Sequence, residues 1–165
     1  MINLEAADMK KIKMIETAID NETWSELLET EQKCKELLKI APSDVPENVV
    51  KKIDKFVDDL LEKNLIEDEL DEYFLPLSIL WGCMVVEKYK WRWQNLDFCD
   101  GNGDAIYIVS PKSYYCCPPF YFISNILRGS NIGPWGENDN TVMLLFNMLE
   151  KIEKKKPKSK FEVVV

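Results

Sequence analysis

Histidine is absent from all 165 residues. With it go the commonest general base, the usual activator of a nucleophilic Ser or Cys, and the commonest metal ligand. Cysteine is present but unpatterned: five residues, an odd number without CxxC spacing, describe neither a disulfide framework nor a zinc site. The thiols are therefore read as reduced and the protein as cytoplasmic. Long hydrophobic runs are missing too. The longest nearly apolar stretch, Phe74 to Val86, covers 13 residues and contains Pro76 and Ser78, too short to span a bilayer. The first residues are polar and charged where a secretory signal would need an apolar region. Positive charge is in deficit, 21 Lys+Arg against 29 Asp+Glu for a net of -8, which opposes the phosphate neutralisation that nucleic-acid binding requires.

What is present describes a globular chain, 46% apolar and 11% aromatic, long enough to bury a core without metal or disulfide staples. Charge is distributed unevenly. Met1 to Glu72 holds 20 Asp+Glu against 10 Lys, or -10, while the remainder holds 9 Asp+Glu against 11 Lys+Arg, or +2. Long-range steering would favour a basic partner, although acidic helix faces are also ordinary solvated surface.

The stretch Pro76 to Tyr107 organises the rest. Leu77, Leu80, Trp81, Met84 and Val85 recur at intervals of three and four, and Ile79, Cys83 and Val86 fill much of the remaining circumference, so a central buried helix is expected from Pro76 to Lys88. Ser78 and Gly82 form a small pair on one face, where another backbone can approach. The period then changes to two: Trp91-Arg92-Trp93 opens a strand, Asp100-Gly101-Asn102-Gly103-Asp104 is the turn, and Ala105 to Val109 returns.

Upstream, Leu4, Ile12, Ile15 and Ile19 predict a first, sparsely apolar helix. A second should start near Asn21 and carry Trp24, Leu27, Leu28, Cys34, Leu37 and Leu38 on one side. A third spans Pro46 to Lys63, with a short acidic turn or helix from Glu67 to Tyr73 separated from the central helix by Pro76. Downstream, Ser113 to Cys117 reads as a third strand, Pro118-Pro119 opens a helix closed by Gly129, and the last helix runs from about Asp139 to Lys155. The lysine-rich tail ends in a segment that either adds an edge strand or stays disordered. The fold class is α+β: predominantly helical, about six helices, with a small antiparallel sheet built on one hairpin packed against a central apolar helix. One domain is expected over residues 1–156, with an acidic helical part at 1–73, a helix-hairpin-helix core at 74–156, and a tail at 157–165.

Chemistry-bearing groups are few. Asp100, Asn102 and Asp104 match the opening of a calcium loop, but Ala105 stands where Gly is needed and Pro111 where the bidentate Glu should be. Cys116-Cys117 and Cys99 would make a redox or metal site only if the sheet brought them together. A Glu87 to Arg92 ion pair beside the tryptophans is conceivable, and more often structural than catalytic. No catalytic residue, metal or cofactor is expected. Aromatics exceed what a small core requires, so Trp135 in its Gly-Pro-Trp-Gly loop, Tyr114, Tyr115, Trp91 and Trp93, with Arg92, are the candidate partner-binding residues. The alternative for most of them is the core, with hydroxyls reaching polar rims.

The succession Leu77-Ser78-Ile79-Leu80-Trp81-Gly82, Glu87, Trp91-Arg92-Trp93, Ala105 to Pro111 and the Pro119 helix resembles small bacterial proteins with a helix, Trp-strand hairpin and helix core. Some of these look like immunity proteins to polymorphic or type VI secreted toxins. The resemblance covers about Leu75 to Arg128 and brings no catalytic residues; Cys116-Cys117 and the acidic front lie outside its pattern. It implies a toxin-neutralising role; the missing catalytic chemistry, the acidic field and the surplus aromatics give the broader expectation of a non-enzymatic protein that binds another, basic protein, and neither nucleic acid nor membrane. The competing expectations are a small-molecule or metal-binding protein, or an enzyme, with a pocket near the Trp91/Trp93 hairpin and Cys116-Cys117, and a structural subunit of a homo-oligomer.

Overall fold

Where the apolar spacing approaches 3.6 the chain is helical, and where it alternates it forms strands, with one exception at the front. Ile15–Thr17 is a strand (β1), followed by helices Asn21–Leu37 (α1), Pro46–Glu62 (α2) and Glu67–Tyr89 (α3). The hairpin Arg92–Asp97 (β2) and Asp104–Val109 (β3) leads to Tyr115–Cys117 (β4) and Pro119–Leu127 (α4). Ile132–Gly133 (β5) pairs with Gly136–Glu137 (β6); Val142–Glu153 (α5) and Glu162–Val163 (β7) complete the chain. These elements are those of a computed structural model that describes residues 13–129, 132–133, 136–137 and 142–165.

The expected α+β class, predominantly helical, is what the structure has, with five helices among the described residues. Two boundaries differ. The helix expected through Ile15 and Ile19 is at this point β1, whose pairing with the hairpin strand β2 (Ile15 with Asp97, Thr17 with Asn95) overrides the weak local pattern; Leu4 and Ile12 lie outside the described residues. The break expected before Pro76 is also missing. α3 runs unbroken from Glu67 through Pro76 to Tyr89. Pro76 cannot donate to the Glu72 carbonyl, but Glu72 is exposed and water can take that place. One turn on, the buried Ser78 hydroxyl donates to the Phe74 carbonyl and so needs no other partner.

Glu69 reaches back to accept from the Ile66 backbone N–H at 3.0 Å, starting α3, and Lys90 in the left-handed region (φ 61°) ends it. In between, Leu77 to Gly82, Met84 and Val85 are buried, and α3 packs against α1, α2, α4 and α5. Gly82 fits the expected close approach, though a side chain makes it: the Trp93 indole lies on the glycine, with Pro119 beside it. α2 turns Val49, Val50, Ile53, Val57 and Leu60 inward. α1 does less than expected, since it buries Leu27 and Cys34 while Trp24, Leu28 and Leu37 remain exposed.

The sheet is five-stranded in the order β1-β2-β3-β4-β7. It is mixed where an antiparallel sheet was expected, because the tail segment β7 joins β4 in parallel, Tyr115 beside Glu162 and Cys116 beside Val163. Alternation assigns its faces. Trp91, Trp93, Ile108, Tyr115 and Cys117 join the large core with the helices, and Leu96, Val109 and Cys116 form a smaller cluster with Met14, Phe98, Tyr107 and Phe161. Among the described residues no helix is long and apolar enough to cross a membrane.

Candidate functional site

The surplus of aromatics is largely consumed in holding α5. Trp81 Nε1 donates to the Val142 carbonyl at 3.2 Å, and Tyr89 Oη to the Phe146 carbonyl at 2.7 Å. Trp91 Nε1 donates to the Glu153 carboxylate, and Tyr115 Oη to the Lys155 carbonyl at 2.8 Å. The rings of Trp81, Trp91 and Tyr115 are buried and that of Tyr89 is half-buried, while each polar tip is satisfied on α5 or just past its end. Trp91 (2% exposed) and Trp93 (8%) are therefore core groups.

Where this row ends, a cleft of about 380 Å³ opens between the turn linking β3 to β4 and the end of α5. Ser110, Lys112, Tyr114 and Tyr115 line one side, and Glu150, Glu153 and Lys154 to Lys156 the other. Burial, with the nearby Glu150 charge adding to it, raises the Glu153 carboxyl above its ordinary value, against the Trp91 hydrogen bond that lowers it. Lys154 pairs with Glu150 at 3.1 Å, and Lys112 Nζ stands 6.0 Å from the Tyr114 ring centroid. The arrangement can hold an anion at its rim, with one half-buried acid inside.

Arg92 braces the turn from behind. Its guanidinium donates to Glu16 at 2.6 Å, to the Ser110 carbonyl at 2.9 Å and to Ser113 Oγ at 2.7 Å, tying β1, β2 and the turn together. The expected Glu87 pairing does not occur: Glu87 is exposed at the end of α3, and Arg92 points to β1. Thus Tyr114, Tyr115, Arg92 and the Trp91 indole N–H gather at one end of the sheet, Trp93 is elsewhere in the core, and Trp135 lies outside the described residues. Glu153, Glu150 and the lysines that follow α5, Lys154 to Lys156, were missed as cleft residues. Their sequence signal, a basic helix end, is fully accounted for by the helix dipole.

The thiols do not converge. Cys116 and Cys117 point to opposite faces of β4 and are buried, and Cys99 is exposed beside the hairpin turn. Burial pushes the Cys116 thiol up to about 12 and Cys117 well above the ordinary range. Asp100 is held below its usual value by the Asn102 backbone N–H, as in a plain Asx turn. Among the described residues no group of three or more His, Cys, Asp or Glu is placed to hold a metal ion.

Two other surfaces stand out. On α1, Trp24 (38% exposed) and Leu28 (46%) lie one turn apart, among Glu22, Glu26 and Glu29. Beside β3, an apolar groove of about 390 Å³ runs along Ala105, Ile106 and Tyr107, with Phe120, Tyr121, Val163 and Val165 around it. Comparison with protein-family models, with curated proteins and with solved structures returns no match.

Proposed function

We propose that the protein is a non-enzymatic, cytoplasmic binding module whose partner is a basic protein, in the manner of a toxin-neutralising immunity protein. The observation that carries this reading is the acidic helical front with large apolar groups left outside. Trp24 and Leu28 are exposed on α1 among carboxylates, and no cation among the described residues pairs with Glu22 or Glu26. A partly exposed tryptophan ringed by like charges is suited to be a binding anchor, with the charges supplying speed and partner choice. The resemblance of Leu75 to Arg128 to immunity-like proteins points the same way.

The test is capture of a partner by the full chain, followed by association kinetics with the purified partner at low and high salt. Association should slow as salt rises, Glu22→Lys with Glu26→Lys should slow it further, and Trp24→Ala should speed dissociation. A complex indifferent to all three would overturn the reading.

A second reading, a small-molecule or metal-binding protein or an enzyme, draws on the lysine-lined cleft at Tyr114 and Glu153. A site at Cys116-Cys117 has less to support it, since burial keeps both thiols protonated. Thermal melts with phosphate, calcium, zinc and EDTA discriminate: a stabilising shift favours it, and unchanged melts count against it.

A further inference from the structure

β3 is longer than the strand that covers it. β2 pairs with it from Asp104 to Val109, but on the other edge β4 reaches only Ile108 and Val109. The ladder stops because the next residues of the chain are Pro118 and Pro119, which have no N–H to give and start α4 instead. In an antiparallel ladder alternate residues turn both backbone groups to the same neighbour. Ser110 donates to the Tyr115 carbonyl on the β4 side at 2.9 Å, so Ile108, Ile106 and Asp104 face that side as well. Ile106 would meet Pro119 in a continued register, so among the described residues no backbone group pairs with its N–H and carbonyl on that side.

Beside that edge lies the apolar groove, and none of its lining residues has a charged side chain. Tyr121 (59% exposed), Val163 (48%) and Val165 (57%) offer apolar surface beside the open backbone. Asp104 is the residue of β3 just beyond the groove's Ala105, with Asp97 opposite it and Asp100 in the turn, and no ion pair to a cation among the described residues neutralises any of them. An unpaired edge, apolar walls and an acidic end are the elements of strand addition, in which backbone bonds give affinity and alternate side chains give selectivity.

We propose that the edge of β3 from Asp104 to Tyr107 takes an extended apolar segment of the protein partner as an added strand, with a Lys or Arg of that segment at Asp97, Asp100 and Asp104. This rests on the protein-binding reading above and gives its partner a chemistry. The basic residue meets the hairpin carboxylates, and the apolar positions meet Ile106, Tyr121 and Val163.

The experiment selects peptides from a displayed random library on the full chain and takes the most enriched synthetic peptide as the probe. The expected probe alternates apolar residues with a basic flank, and it slows exchange of the Ile106 amide by at least about tenfold. N-methylation of its alternate backbone amides should weaken binding by about tenfold or more, as should Tyr121→Glu, which sits on exposed surface. The proposal is overturned if no sequence is enriched, if the probe leaves Ile106 exchange unchanged, or if N-methylation has no effect. It is also overturned if Ile106 is protected without peptide in a concentration-dependent way, which would make a second copy of this chain the occupant. Trp24→Ala and Glu22→Lys should leave probe binding intact. Loss of the probe result with salt-dependent partner binding retained would refute the edge alone.

Discussion

The Trp93 indole rests directly on Gly82: a Cβ built on the glycine would lie 2.5 Å from Cζ2 and Cη2 of the ring. Trp93 is buried and Pro119 is 3.4 Å from the same point, so the ring has little room to withdraw. Gly82→Ala is expected to destabilise the fold by about 1–3 kcal/mol through overpacking. Trp93→Phe removes the atoms that clash, so in urea denaturation the double variant should lose less than the two single losses added together. Simple additivity would show that the helix and the hairpin are not coupled here.

Arg92 gives the second expectation. Its bonds to Glu16, the Ser110 carbonyl and Ser113 join the three-residue strand β1 to the hairpin and brace the turn. Arg92→Lys keeps the charge but loses the planar fork, at a cost of about 1.5–3 kcal/mol for hydrogen bonds to a charged group. Amide exchange should report the loss locally, with the amides of β1 exchanging faster while those of α3 scale only with global stability.

The central helix and the hairpin could be read in the sequence because their apolar periods are local and unambiguous, as at Leu77 to Val85 and Trp91 to Val109. β1 could not: Ile15 and Ile19 fit a helical spacing, and only pairing with residues 95–97 makes a strand of Ile15–Thr17. Pro76 misled for a related reason: the local cost of a proline mid-helix is outweighed here by the largely buried run Leu77 to Val85 that continues the same helix into the core. The cleft joins the turn at 110–115 to the helix end at 150–156, a juxtaposition that no local pattern encodes. The open edge left a faint trace in Pro118-Pro119, which announce the early end of β4 as plainly as the start of α4.

Cysteine reactivity follows from burial. Cys34, Cys116 and Cys117 are buried, and the Cys83 and Cys34 thiols, like that of Cys116, are pushed up to about 12 chiefly by desolvation. Cys99 alone of the five is exposed. A thiol reagent at pH 8 should therefore modify one group rapidly in the native protein and the other four only on unfolding, and Cys99→Ser should abolish the fast phase. Rapid reaction at Cys116 or Cys117 would revive a redox role for that pair.

Glu153 links the cleft to stability through its proton. Its carboxyl is raised above the ordinary 4.5 by burial, with Glu150 adding to the effect. A carboxyl with a raised folded-state value binds its proton more tightly in the native protein than in the unfolded one. Its contribution is therefore fully present below pH 4.5 and is lost as pH rises through the raised value, leaving a half-buried charge at neutrality. Glu153→Gln keeps an oxygen to accept from Trp91 Nε1 without that charge, so the variant should be more stable than the parent at pH 7. The difference should shrink to nothing as pH falls below 4.5, and melts across this range read it directly. A variant less stable than the parent at pH 7 would mean that the lysines around the cleft stabilise the carboxylate by more than burial penalises it, which would make Glu153 a charged element of the cleft instead of a buried brace for α5.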